Sequence, residues 1–300
     1  ATHTYSAGLR TVAFQVANEQ TNNKYVSVVR GDMGDIMTAQ SGGGYGYTVP
    51  RAEGATDNSN SQYAVLAAWY AGMNDRIDIP AQYWLDLQGY WRTCQKEDGS
   101  WSYRVSGQNQ YYDGLPQPTM TVGGLASLYI CEDNVPLSRR ADRSAIERCE
   151  GVVMDPAIAA ALAWMDRNYT ADPTQTGAWM GIGEFQKGWA YYYIYGVERA
   201  GIASGYKYFG GKDWYRTGAE YLINNQAGNG SWVGWDADAM WSNGGISTPT
   251  TDPGKIQANT AFALLFLIRG RQPVLFNKLE YSGDWNNRSR DLAAVTHWLS

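Results

Sequence analysis

Four acidic side chains recur at one position along this chain. Asp57, Asp113, Glu184 and Asp252 each stand before a stretch that is apolar on nearly every side. Carboxylates placed there cap helix N-termini, where they accept free N–H groups and meet the positive end of the helix dipole. If the four helices share one orientation, the same carboxylates line one end of a bundle and form a ligand-binding mouth. A pair of them could hydrolyse a glycosidic bond, their separation setting the stereochemical outcome. Tyr111, Tyr112, Tyr191, Tyr192 and Tyr193 lie nearby in sequence, and tyrosine rings suit both sugar stacking and helix packing. Other chemistry is poorly supplied. The two histidines, His3 and His297, stand near opposite ends of the sequence, with no cysteine within helical spacing of either. That spacing offers no zinc ligand set and no His-assisted nucleophile. The sequence calls for no metal and no cofactor.

The elements behind these acids follow from hydrophobic periodicity. Ser61–Ala71, Met120–Ile130, Trp189–Ala200 and Gln257–Ile268 read as helices without a polar face, which must be buried on all sides. Amphipathic helices alternate with them. Pro80 to Cys94 places Tyr83, Trp84, Leu87, Tyr90, Trp91 and Cys94 on one side. Asp155-Pro156 opens the next, with Ile158, Leu162 and Met165 inward. Asp213 caps a third that turns Trp214, Tyr221 and Leu222 inward, and Ser289 to Leu299 offers Leu292, Val295, Trp298 and Leu299. The simplest packing of this alternation is a double ring, all-apolar helices inside and amphipathic ones outside. Nearer the start, Ala7 to Ala17 reads as a helix with Leu9, Val12, Ala13, Val16 and Ala17 on one side, and Gly31 to Gly44 reads as loop.

Two of the connections match one pattern, Q-x-x-[DN]-G-x-W: Gln95 to Trp101, with Gly99, and Gln226 to Trp232, with Gly230. Glycine permits the tight turn off an outer helix, the Trp ring covers that helix end, and the Gln amide bonds loose backbone groups. All six residues are therefore expected to be structural. Related aromatic-glycine segments occur at Gly43 to Tyr47 and at Gly177 to Met180. An internal repeat is one supersecondary unit that must stack on its neighbours.

These repeats resemble the QW motifs of the squalene-hopene cyclase and prenyltransferase superfamily. Within it the chain is most similar to bacterial prenyltransferase/squalene-oxidase-repeat proteins of unassigned function. The resemblance implies an all-α fold, the α/α-toroid, over residues 41–271, after an N-terminal helix-plus-loop segment at 1–40. Residues 272–300 form a C-terminal extension, either the start of a further domain or a closing outer helix. The resemblance does not carry the superfamily's chemistry with it. Its class II cyclases protonate an alkene with an Asp of a D-x-D-D motif, held protonated in a water-poor cavity. The nearest match is Asp236-Ala237-Asp238-Ala239, which lacks the final acid. Asp236 and Asp238 are thus weak catalytic candidates. No Asp-Asp pair exists for a D-D-x-x-D magnesium motif.

Composition narrows the function further. Net charge is -5 and no basic cluster exceeds Arg139-Arg140, which argues against nucleic acid as a partner. The longest apolar run, Ala261 to Ile268, is too short for a transmembrane segment. Cys131 and Cys149 flank 17 polar, turn-like residues, and a disulfide there would stabilise by about 3 kcal/mol in the chain-entropy model. Cys94 falls on an apolar helix side and is expected free. A bridge and a first residue other than Met both suit an exported, extracellular or cell-envelope protein. The expectation is a non-catalytic exported toroid acting as scaffold or binding module, whose partner is itself or a glycan. A carbohydrate-active toroid and a terpene cyclase or prenyltransferase-like enzyme are the alternatives.

Overall fold

The computed structural model describes residues 3–50, 56–104, 114–135, 154–172, 187–236, 248–268, 279, 281–283, 291–292 and 295. Those residues are mainly helical: α1 (Thr4–Gln20), α2 (Val26–Thr38), α3 (Asn58–Gly72), α4 (Ala81–Cys94), α5 (Pro118–Asn134), α6 (Pro156–Asn168), α7 (Ala190–Ser204), α8 (Trp214–Asn224) and α9 (Pro253–Ile268). Two antiparallel two-residue ribbons complete them. β1 (Tyr208–Phe209) pairs with β2 (Lys212–Asp213), and β3 (Trp235–Asp236) pairs with β4 (Thr248–Pro249). The fold is all-α. No helix among the described residues is long and apolar enough to cross a membrane.

Contacts divide the chain into two units, residues 1–161 and 162–300, with the boundary inside α6. In the first unit α3 lies against α1, α2 and α5, and α4 lies against α5. In the second, α7 packs on α9, and α8 touches both. Three of the helices expected to be buried all round are so over most of their length, with Trp189 45% exposed and Trp69 and Tyr70 half-buried as departures. Every residue of α3 from Asn58 to Ala68, of α5 from Pro118 to Cys131, and of α7 from Ala190 to Gly201 is buried. Two amphipathic helices bury their expected sides, Tyr83, Trp84, Leu87, Tyr90, Trp91 and Cys94 in α4 and Ile158, Leu162 and Met165 in α6; in α8 Trp214 and Leu222 are buried and Tyr221 half-buried, and Val295 of the expected fourth is exposed.

Three expectations are corrected. In α9 only Ala263 and Phe266 are buried, and Leu264, Leu265 and Ile268 are exposed. Its neighbours α7 and α8 cover one strip of it. In α1 the buried side is Thr4, Ala7, Gly8, Thr11, Gln15 and Asn18, not the stripe through Leu9, Val12 and Val16. Small residues win there because α3 approaches closely: a Cβ on Gly8 would lie 2.8 Å from the Tyr63 carbonyl oxygen. The polar members gain partners, Thr4 Oγ1 donating to Gly46 O at 2.6 Å and Asn74 Nδ2 to Gln15 Oε1 at 3.1 Å. Finally, α2 runs through Gly31 and Gly34 to Thr38, where loop was expected. Burial of Val29, Met33 and Ile36 on one side outweighs the cost of two helical glycines, about 1 kcal/mol each.

Candidate functional site

The Gln95–Trp101 and Gln226–Trp232 turns close through matching bonds. Each indole N–H donates to a carbonyl ten residues upstream, Trp101 to Trp91 at 2.9 Å and Trp232 to Leu222 at 2.8 Å. Each Trp backbone N–H donates to a threonine hydroxyl on the following helix, Thr121 at 3.2 Å and Thr260 at 3.1 Å. Gln95 Nε2 donates to Gly99 O at 3.1 Å, and Gln226 Nε2 to Gly230 O at 2.9 Å. Asp98 and Asn229 each accept from the N–H and the hydroxyl of the serine two residues on. That double acceptance explains why the pattern requires a short side-chain oxygen there. Gly99 and Gly230 have φ of 92° and 86°, in the left-handed region that favours glycine.

A third turn carries part of this design. Tyr45 donates its N–H to Ser61 Oγ at 3.0 Å and its hydroxyl to Tyr83 Oη at 2.8 Å, behind Gly43 at φ 83°. Tyr stands here in place of Trp, and Gln40 precedes it by five residues rather than six. The strict pattern therefore misses this copy. It also misses Ser61, Thr121 and Thr260, whose hydroxyls dock each turn onto a helix. The segment Gly177 to Met180 lies outside the described residues.

Of the four mouth acids, Asp113 and Glu184 lie outside the described residues. Asp57 and Asp252 belong to different units. Both cap helices. Asp252 Oδ1 accepts from Gly254 N at 2.7 Å at the exposed start of α9. Asp57 is fully buried and accepts from Asn60 N at 2.8 Å, Ser59 Oγ at 2.6 Å and Asn60 Nδ2 at 2.9 Å. Burial pushes its carboxyl above the ordinary carboxylate range, and the Ser59 and Asn60 bonds and the Arg104 charge oppose that shift. Around it the first turn of α3 is polar yet buried. Asn58 Nδ2 donates to Ser102 O at 2.7 Å, while the Oδ1 atoms of Asn58 and Asn60 are buried without a hydrogen-bond partner among the described residues. Tyr103 and Tyr47 meet hydroxyl to hydroxyl nearby, and Tyr47 is 44% exposed. The Tyr103 phenol is pushed up by burial first and by the Asp57 charge second. Of this cluster only the Tyr47 ring is open to an incoming molecule; the carboxyl and the amide oxygens are interior.

The acid pair resolves differently. Asp238 lies outside the described residues. Asp236, on β3, forms an ion pair with Lys255 at 2.8 Å, and both side chains are partly exposed. A neighbouring ammonium favours the carboxylate, the opposite of what a proton donor needs. Among the described residues no three His, Cys, Asp or Glu side chains converge to hold a metal ion.

The expected Cys131–Cys149 bridge is not decided by the described residues. Cys131 is a free thiol at zero exposure near the end of α5, where the helix is buried on every side. Burial pushes this thiol well up, against the pull of Arg92. Cys149 lies outside the described residues. Cys94 is free and buried as expected, its thiol pushed up to about 11 by desolvation. The apolar reading of Trp189–Ala200 passed over two charged residues. Glu198 and Arg199 are buried within α7, with the Arg199 guanidinium 4.9 Å from the Tyr195 ring centroid. Adjacent charges inside an otherwise apolar stretch were the available signal. Neither a protein-family model, nor a curated protein, nor a solved structure matches this chain.

Proposed function

We propose that this chain is a non-catalytic α/α-toroid with QW-type repeats that serves as an exported scaffold or binding module. The observation that carries this reading is the matched bonding of the two Gln-to-Trp turns. Gln95, Trp101, Gln226 and Trp232 are engaged in closing each turn on the helix before it, and the Trp N–H groups tie it to the helix after it, which is a structural use of the repeat. The alternation of largely buried α3, α5 and α7 with one-sided α4, α6 and α8 supports a double ring. The Asp236–Lys255 pair weighs against a cyclase acid at that position. Incubation with squalene and with prenyl diphosphates tests the non-catalytic claim: no product is expected. Turnover that disappears in Asp238→Asn would overturn it. Sedimentation analysis over a range of concentrations tests the scaffold role, which predicts concentration-dependent self-association or retention by a partner.

A second reading, a glycan-binding toroid, is favoured by one cluster. Tyr47, 44% exposed and hydroxyl to hydroxyl with Tyr103, is the ring platform that a sugar could stack on, while Asp57 and its amide neighbours are interior. Affinity electrophoresis in soluble polysaccharides would be retarded by such a site, and Tyr47→Ala should remove the retardation. Unretarded migration in every polysaccharide leaves the scaffold reading alone.

A further inference from the structure

Helix α9 has one side held and one side open. The held side meets α7 and α8 through two phenylalanines. Phe262 lies 5.7 Å from Tyr192 and 5.5 Å from Tyr195 between ring centroids, and Phe266 lies 5.3 Å from Tyr215 and 6.1 Å from Trp214. The open side carries Gln257, Ala258, Ala261, Leu264, Leu265 and Ile268, all exposed. Leu264 is 47% and Ile268 56% exposed. No charged side chain stands between Lys255 and Ile268. The solvated side of α8 differs, carrying the exposed Arg216–Glu220 ion pair one turn apart.

The spacing on the open side is that of a helix seam. Gln257, Ala261, Leu264 and Ile268 follow one another at intervals of four, three and four. That alternation keeps one line of side chains facing a partner helix in a coiled coil. Ala258 and Leu265, seven residues apart, flank the line on one side. An uncharged apolar strip of this kind, exposed within a single chain, marks a protein contact.

We infer that this seam joins two copies of the chain, α9 against α9 in antiparallel register. The order of side-chain sizes selects that occupant, because the seam is small toward the helix start and large toward its end. Antiparallel pairing about the midpoint between Phe262 and Ala263 sets Ala261 opposite Leu264 of the second copy. Ile268 then enters the hole formed by Gly254, Gln257, Ala258 and Ala261 of the second copy, three of which are small. Parallel pairing would instead stack Leu264 on Leu264 and Ile268 on Ile268, and leave the alanines facing one another across a gap. Antiparallel helices also set opposite dipole ends side by side, and a twofold contact of this kind closes on itself. The seam spans about 16 Å along the axis. Its contact therefore falls at the small end of interface sizes, and the pairing is weak and concentration-dependent. The inference rests on the self-associating form of the scaffold reading, to which it gives a surface.

The register also names the test. Full chains carrying Cys149→Ser keep only Cys94 and Cys131, both buried. In that background, copies with Gln257→Cys are mixed with copies with Ile268→Cys and oxidised at a concentration where sedimentation shows association. Peptide mapping should recover positions 257 and 268 joined between copies. Ile268→Cys alone should stay unjoined, because its two thiols stand about 16 Å apart along the axis in this register. Ile268→Cys joined to itself, with no 257–268 pair in the mixture, would overturn the antiparallel contact. Leu264→Glu, whose circular dichroism and melting should match the parent, should sediment as a monomer at a concentration where the parent associates. Association unchanged in Leu264→Glu overturns the α9 contact and leaves the self-associating scaffold in place. A parent that stays monomeric at every concentration overturns both the contact and the self-associating form of that reading.

Discussion

Replacing Trp101 by alanine tests whether the Gln-to-Trp turns hold the fold together. The ring is completely buried, donates to Trp91 O at 2.9 Å, and stands edge-on to Trp91 at 6.1 Å between centroids. Truncating a buried Trp costs about 3–5 kcal/mol in lost burial and cavity. Orphaning the Trp91 carbonyl adds about 1–3 kcal/mol, unless water enters the space. The expected loss is therefore about 4–8 kcal/mol, the lower end applying if water reaches the carbonyl, and a large share of the roughly 5–15 kcal/mol that holds a domain folded. Trp232→Ala should cost less, about 3 kcal/mol, because the exposed turn around Gly230 can relax into the gap. The internal control is Gly124, where an added Cβ would come within 2.6 Å of the Trp101 ring. Gly124→Ala should destabilise the parent. In the Trp101→Ala background it should be neutral, or stabilising by up to about 1 kcal/mol through helix propensity. Urea unfolding followed by far-UV circular dichroism gives the four free energies of this double-mutant cycle, provided the transition slopes agree. A Trp101→Ala midpoint equal to the parent's, or a coupling energy near zero, would refute the staple argument.

Further outcomes follow from the same contacts. Gln95→Ala loses two bonds from a half-buried amide and should cost about 2 kcal/mol, whereas the exposed Gln226→Ala should cost no more than about 0.5 kcal/mol, both read by the same unfolding assay. Cys94 and Cys131 should resist Ellman's reagent until the protein unfolds, and non-reducing peptide mapping should find Cys131 unbridged. Asp57 should give a pH signature. Its folded carboxyl titrates above its unfolded value, so the folded state holds the proton more tightly and the stability this contributes is present at low pH. That contribution is lost as pH rises from the ordinary Asp range, about 3.9, through the raised folded value. Asp57→Asn keeps a capping oxygen and should flatten the slope over that window, and a slope unchanged in the variant would reject the assignment.

The sequence made the amphipathic helices legible because one packed side leaves a periodic record. In α4 all six residues assigned to the inner side are buried. It also exposed the two strict turns, because glycine at positive φ and a short oxygen acceptor two residues before a serine are local needs. The hydroxyls that receive the turns were illegible for the opposite reason. Ser61, Thr121 and Thr260 follow their aromatic residues by 16, 20 and 28 positions, and nothing local marks them.

Periodicity failed where a helix's neighbours, rather than its composition, decide what is buried. The first turn of α3, Asn58 to Gln62, is polar and fully interior because its side chains bond Asp57, Ser102 and the Tyr45 N–H. α1 turns Thr4, Gln15 and Asn18 inward for the same reason, Asn18 Oδ1 accepting from Tyr25 N at 2.7 Å. A buried polar group costs little once its bonds are made, so tertiary partners outweigh an apolar stripe of modest size. The failure at α9 runs the other way. Its sequence has the burial signature of α5, yet its apolar side is open, and the turn before it lacks the ion pair, the second amide bond and the glycine contact that α6 provides at Gln95–Trp101. Composition alone cannot register that difference: α9 is apolar on most sides, but α7 and α8 cover only the strip that carries Ala263 and Phe266.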